Sequence, residues 1–249
     1  MMSDAASIIQ SGNLYMFTMG NPVMFADPSG LSAEMTRLII GRFGLLNGTS
    51  IAWSVSNINN MARSRANAMA EDLGLGKYER RHVGRGRTAD IFIPDDFHNI
   101  VDAYRHFIGN FYMTRELGVE VASFVSNMNE FITLRDYGNL LSHNLEAGWV
   151  SAMVTRAVLQ DIWNDAVGRS IAMSHPHLNS SQAFNLALSQ GRLITNAYDI
   201  FLTLGIDHLI PRDGNNDRTD WRVRMMWNFN DQTFIFTDPD GNNSVTVRL

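Results

Sequence analysis

Three polar residues interrupt an apolar stretch at intervals of four: Asp102, His106 and Asn110, flanked by Val101, Tyr104, Phe107, Ile108 and Phe111. On a helix this spacing lays the three side chains in one stripe. A carboxylate one turn from an imidazole can orient the ring and raise its basicity, as a general base or a metal-ligating histidine requires. An exposed Asp-His pair on a helix surface is the commoner source of the same spacing. A second stripe, Asp161, Asp165 and Arg169, repeats the interval, with Asn164 and Gly168 in the adjacent row. Glycine inside a helix costs about 1 kcal/mol relative to alanine, so Gly168 predicts the close approach of another backbone beside a polar row.

Other residue groupings are weaker. His175-Pro176-His177 places two imidazoles two residues apart beside a proline, which reads as a surface turn rather than a metal signature. Ser142-His143 has no positioned acid for a serine triad. The oxygen-rich runs at 213–217 and 238–243 lack the downstream glutamate of an EF-hand loop and read as turns. The sequence carries no His-x-Glu with paired cysteines for a zinc deaminase, no His-Glu-x-x-His helix, no Walker loop, no Gly-x-Ser-x-Gly elbow and no Glu-x-Glu pair.

Composition narrows the classes further. The 249 residues carry a formal net charge of −5, which argues against tight nonspecific binding to phosphate backbones. With no cysteine, disulfides, thiolate zinc sites and cysteine nucleophiles are excluded together. An apolar fraction of 45% supports a sizeable core. No apolar window approaches the roughly 18 residues of a spanning helix, and no signal peptide opens the chain, so export would need another carrier. Lys77 is the only lysine, and arginine does the remaining cationic work.

The elements that must position these residues are mostly helical. Apolar periodicity and stop signals predict helices over 32–43, 50–73, from Pro94 to Leu117 with Gly118 as the stop, then 119–135, 143–173, 180–190 and 196–204. The basic run 77–88 reads as a solvated loop, and 89–94 as a short strand. From Trp221 the period changes to two, giving strands over 221–229, 232–237 and 244–249 with turn residues between them. The expected class is α+β: a mainly α-helical domain, helical over 32–210, with a C-terminal three-stranded antiparallel β-meander over 221–249. Such a meander needs a helix against one face for stability.

The N-terminal run NLYMFTMGNPVMFADPSGL, residues 13–31, combines turn dipeptides at Asn21-Pro22 and Asp27-Pro28-Ser29-Gly30 with a short apolar strand candidate at Val23, Met24 and Phe25. Taken whole, it resembles the end of the core of Rhs and YD-repeat proteins, whose β-cocoon closes on a stretch of this form before a variable toxin domain. Asn13, Leu14, Tyr15, Asn21, Pro22, Val23, Asp27, Pro28, Gly30 and Leu31 carry the match; Phe17 stands in place of a second tyrosine. The repeats that precede this run in the family are absent here, so the expectation is a fragment of a long protein or a displaced cassette. In the family the Asp27-Pro28-x-Gly30-Leu31 element is associated with self-cleavage that frees the cargo. The resemblance therefore implies a remnant over 1–31, a boundary after Leu31 and a toxin or effector domain over 32–249.

A second resemblance covers roughly 102–193. Some toxin-associated bacterial domains of unassigned function carry a D-x-x-RH-x-x-x-N element, later an HE, then a D-x-x-NN-x-x-GR element. Asp102, Arg105, His106 and Asn110 match the first, and Asp161, Asn164, Gly168 and Arg169 match the last, with Asp165 replacing the second asparagine. Asn129-Glu130 stands where the HE falls. If the three elements converge, the candidate catalytic set is His106 as general base or ligand, Asp102 orienting it, and Glu130 and Asp161 as acidic partners. Arg105, Asn110, Asn164, Asp165 and Arg169 form the candidate substrate-binding set. The same residues also suit a buried polar network that only fixes helix packing.

The reading that follows is a secreted toxin effector, the C-terminal cargo of an Rhs-type protein delivered into a target cell, with a hydrolase site on the His106 and Asp161 helices. Lipid, nucleotide and cell-wall substrates all remain open, the cofactor is unknown with a divalent metal possible, and the implied partners are the Rhs cocoon or secretion apparatus and a cognate immunity protein. The alternatives are a membrane-disrupting toxin without enzymatic activity, to which the 14 methionines and apolar helices point, and an inert binding or structural module.

Overall fold

A computed structural model describes residues 33–75, 77–84, 87–93, 100–136, 138–144, 149–154, 156–196, 200–209, 223–228, 233–238 and 242–248. The run 13–31, the Pro94-Asp95-Asp96 helix start and the 213–217 loop lie outside them. Two compact units divide the chain: Met1–Asn57 with Arg80–Asp90, and Ile58–Glu79 with Ile91–Leu249.

In the first unit, helix α1 (Ala33–Phe43) ends at Gly44 and is followed by α2 (Leu45–Asp72), which continues into the second unit. Met35, Ile39, Ala52 and Val55 are buried, whereas Leu46 and Trp53 are exposed. Gly48 lies so near the Ile40 backbone that a Cβ there would stand 2.5 Å from the Ile40 Cα. The basic run expected as a loop is instead part of a two-stranded sheet of β1 (Lys77–Gly84) and β2 (Arg87–Ile93). Charge alone misleads there, because a two-stranded ribbon tolerates the same polar composition as a loop.

The second unit is built on α3 (Ile100–Leu117), α4 (Val119–Asp136), α5 (Arg156–Ser174) and α6 (Ser180–Ser189). Gly118 joins α3 to α4 at φ 89°, the left-handed conformation that glycine adopts without a Cβ penalty. Phe107, Ile108 and Phe111 of α3, Val167 and Ile171 of α5, and Ala183, Phe184 and Ala187 of α6 form one buried cluster with Ala62 of α2. The Phe107 and Phe184 rings meet edge to face at 5.6 Å. Helix α6 opens on a capping box in which Asn179 Oδ1 accepts from the Gln182 N–H and Gln182 Oε1 accepts from the Asn179 N–H. Short α7 (Ile200–Thr203) and a 3₁₀ turn (Asp207–Leu209) follow.

The chain is mainly helical with a C-terminal antiparallel sheet, but among the described residues that sheet has five strands rather than three. Strands β5 (Val223–Asn228), β6 (Thr233–Thr237) and β7 (Ser244–Arg248) form the expected meander, and β3 (Leu140–Asn144) and β4 (Trp149–Val154) extend it in the order β3-β4-β5-β6-β7. The helix expected over 143–173 therefore begins only at Arg156. Val150, Ala152 and Val154 alternate inward and are buried, with Val150 opposite Trp227 and Val154 opposite Val223. Trp227, Phe234 and Phe236 stack successively at 6.1 and 6.3 Å, and Trp163 of α5 lies 6.0 Å from Phe234. The helical layer thus covers the apolar face of the sheet.

Candidate functional site

Helices α3 and α5 run side by side in the same direction, so their polar stripes face each other in register. His106 meets Asp161 and Asp165, and Asn110 meets Arg169. Gly168 sets the closeness of this crossing. A Cβ built there would run into the Phe107 carbonyl oxygen, well inside contact distance. The close approach expected at Gly168 is the approach of α3 itself.

Around His106 the groups are dense. Its Nδ1 is 2.9 Å from Asp165 Oδ1, and its Nε2 is 3.0 Å from Asp161 Oδ1 and 3.9 Å from Asp102 Oδ1. The Arg105 Nη2 lies 2.7 Å from His106 Nε2 and 3.0 Å from Asp102 Oδ1. Asp165 is thus the carboxylate on Nδ1 that orients the ring, a role expected of Asp102. Asp102 instead holds Arg105, its neighbour one turn along. The side chains of His106, Asp102 and Asp165 keep 9%, 7% and 6% of their exposure, while Asp161 and Arg105 keep 23% and 29%. Solvent reaches the cluster from the Asp161 and Arg105 side.

Among the described residues the carboxylates outnumber the cations near His106, and this balance favours the protonated forms. Burial pushes the His106 pKa down, but the Asp161 carboxylate, supported by Asp165, overrides both burial and Arg105 and raises it to about 9. Glu130 of α4, 3% exposed, is raised to about 7 by burial and by the Asp165 charge, with His106 and Arg105 opposing. Burial, with Asp102 and Glu130, lifts Asp161 well above the usual carboxylate range against the pull of His106. Glu130 also accepts a hydrogen bond from the Asn129 side chain at 3.1 Å.

One turn further along, the same two stripes close into a second network without an opening. Arg169 donates to Asn110 Oδ1 at 2.8 Å and to Ser126 Oγ of α4 at 2.6 Å, and Asn110 Nδ2 reaches back to the His106 carbonyl at 3.4 Å. Arg169 is 2% exposed and Asn110 3%. Burial lowers the Arg169 pKa to about 10, partly offset by Asp165. Sequence reading missed Ser126, although its four-residue offset from Glu130 puts both on one face of α4.

Asn164 does not join the cluster. Its side chain donates to the Ile194 carbonyl at 2.9 Å and accepts from the Ile194 N–H at 3.0 Å. Gln160 adds a second donor to the same carbonyl at 2.8 Å, and the Trp163 indole donates to the Arg192 carbonyl at 2.8 Å. This row of α5 pins the segment after α6. Both ends of the Asn164 amide are spent on backbone, so the substrate-binding role expected of it is withdrawn.

The remaining candidates stay apart. His143 is on β3 with its ring 5.2 Å from Phe131. The His175–His177 turn is tied to α3 by Arg115, which donates to the Pro176 and Leu178 carbonyls. Asp238 accepts from the Asn242 and Asn243 N–H groups and the Asn243 amide, as a turn residue does. Asp27, Pro28, Gly30 and Leu31 lie outside the described residues. Among the described residues no helix is long and apolar enough to cross a membrane.

Comparison of the chain with protein-family models, curated proteins and solved structures found no match.

Proposed function

We propose that the protein is the cargo of an Rhs-type delivery system, a toxin effector whose hydrolytic site is the cluster around His106. The observation that carries the hydrolytic reading is the convergence of Asp102, Arg105, His106, Glu130, Asp161 and Asp165 from three helices into one cluster that solvent reaches from one side. A network built only to fix packing closes on itself, as the Arg169 network does. The delivery reading rests on the NPV and DPSGL elements of residues 21–31.

Hydrolysis adds water across a bond: a base takes one proton, the hydroxide oxygen bonds to the electrophilic centre, and the leaving group departs with a proton returned to it. The carboxylates of the cluster, which burial raises at Asp161 and Glu130, supply groups that take a proton and return it. Positive charge at Arg105 opposes the negative charge that develops on the electrophile's oxygen. Arg105, the more exposed cation, is placed for an anionic group on a lipid, nucleotide or cell-wall substrate.

Inducible expression in bacteria, in the cytoplasm and in the periplasm, tests the reading. Growth arrest is expected with the native chain and its loss with His106→Ala and with Asp161→Ala, each shown by circular dichroism to be folded. Arrest that survives both substitutions overturns the site, and dye leakage from liposomes would then favour membrane damage. Coexpression of the open reading frame beside the gene is expected to protect, as an immunity partner does.

A further inference from the structure

We propose that Asp102, His106 and Asp161 form a binding site for one divalent transition-metal ion, with Asp165 fixing the imidazole from behind and Arg105 holding the cation's place until the ion displaces it. The inference deepens the hydrolytic reading and rests on it for what the ion does; binding itself is argued from geometry.

One ligand atom from each of the three residues lies within 4.8 Å of the other two. Bonds of about 2.0–2.1 Å to nitrogen and oxygen put neighbouring ligand atoms of a tetrahedral ion about 3.3 Å apart. The two separations from His106 Nε2, 3.0 Å to Asp161 and 3.9 Å to Asp102, bracket that figure, so small side-chain rotations suffice.

The ring nitrogens supply a second argument. With Asp165 placed 2.9 Å from Nδ1 to accept its hydrogen, the lone pair of the neutral ring falls on Nε2, the tautomer that a ligating histidine needs and that an arriving cation selects by displacing the second ring proton. A guanidinium, which only donates, already stands 2.7 Å from that nitrogen and 3.0 Å from Asp102. No single ring hydrogen placement satisfies this donor and the Asp161 acceptor at Nε2 together. A cation between Nε2 and both carboxylates satisfies all three. Arg105 can make way, since 29% of its side chain is exposed.

One imidazole with two carboxylates suits Zn²⁺, Mn²⁺, Fe²⁺ or Co²⁺ better than Mg²⁺ or Ca²⁺, which take oxygen ligands almost alone. The donors come from two helices whose spacing the Gly168 crossing fixes. Such a pair of rigid elements holds ligand geometry better than a loop does.

The test uses the full chain, stripped with a chelator and titrated with Co²⁺, followed by its visible d–d absorption and by calorimetry, with Zn²⁺ as competitor. The expected result is one ion per chain, displaced by Zn²⁺. Affinity should fall at least 30-fold in His106→Gln and in Asp161→Asn, and about 10-fold or more in Asp165→Asn, which touches the imidazole and not the ion. Arg105→Gln should bind about 10-fold more tightly, because the guanidinium no longer competes for His106 Nε2 and Asp102; this variant decides the matter even if the others fail to fold. Absence of stoichiometric binding at millimolar Co²⁺ in both the native chain and Arg105→Gln overturns the site. So does binding that none of the four substitutions changes. Growth arrest lost in His106→Ala without metal binding would sink the metal and spare the hydrolase. Metal bound by a chain whose arrest is indifferent to His106 would do the reverse.

Discussion

Two charged networks lie one helical turn apart on the same pair of helices, and they differ in access rather than in residue type. The Arg169 network closes on Asn110 and Ser126 and is almost wholly buried. The His106 network gathers four carboxylates, an imidazole and an arginine, and leaves Asp161 and Arg105 partly in solvent. A buried charge that has found its partners fixes a helix pair, and losing one partner is costly. A cluster in which the described acids outnumber the described cations, near solvent, is a place where a proton, an ion or a substrate can be held. The contrast separates what holds the crossing from what is available for chemistry.

The strongest challenge to that contrast is Arg169→Ala. It strips the inner network of its cation and should cost about 3–5 kcal/mol of unfolding free energy, measured by urea denaturation. A cost below about 1 kcal/mol would mean the inner network does not hold the crossing. Gly168→Ala comes next: the new methyl must push α5 off the Phe107 carbonyl, at about 1–3 kcal/mol. Its thermal midpoint should drop, and Co²⁺ affinity should drop with it because the stripes separate.

A pH series probes the outer network by itself. His106 has a folded pKa of about 9, raised from 6.5, so its contribution is fully present below pH 6.5 and lost as pH rises through 9. Glu130, raised from 4.5 to about 7, acts in the same direction over its own lower window. In chelated protein, stability should therefore fall by on the order of 2–3 kcal/mol between pH 6.5 and 9.5. The groups facing His106 that set this window are Asp102, Arg105, Asp161, Asp165 and Glu130. His106→Gln should flatten the fall over that window, and an unchanged slope would remove His106 from it. Smallest in stability is Asp161→Asn, expected within about 1 kcal/mol of native while growth arrest is lost. If it unfolds as readily as Arg169→Ala, the distinction between the networks fails.

Much of the site was legible because helical spacing is a strong signal. Asp102, His106 and Asn110, and Asp161, Asp165 and Arg169, fall at i+4 steps in sequence and face each other in space. What spacing alone could not supply was the partner across the gap. It paired His106 with Asp102 on its own helix, whereas Asp165, 59 residues away, takes Nδ1. Ser126 carried no signal because a hydroxyl on an apolar helix most often bonds its own backbone, as Ser126 also does to Ala122. Asn164 sits in the row beside the charged stripe, and a one-residue offset on a helix turns a side chain by about 100°, toward Ile194 and away from His106. The sheet was half legible. Strands β5 to β7 alternate between marked turns, whereas Val150, Ala152 and Val154 run into the apolar α5 without a proline or glycine to separate the periods.

Where Phe107 and Gly168 touch, peptide meets peptide, and no rotamer is available to take up slack. The gap between the facing charges is therefore measured out by main-chain geometry and not by how well the surrounding rings and methyls fill space. Exchanging one aliphatic residue for another nearby would alter stability while leaving that gap as it is. The cluster is insulated from gradual turnover in its own core, and diverged forms of this domain should keep the glycine and the charges long after the aromatic residues around them have been replaced.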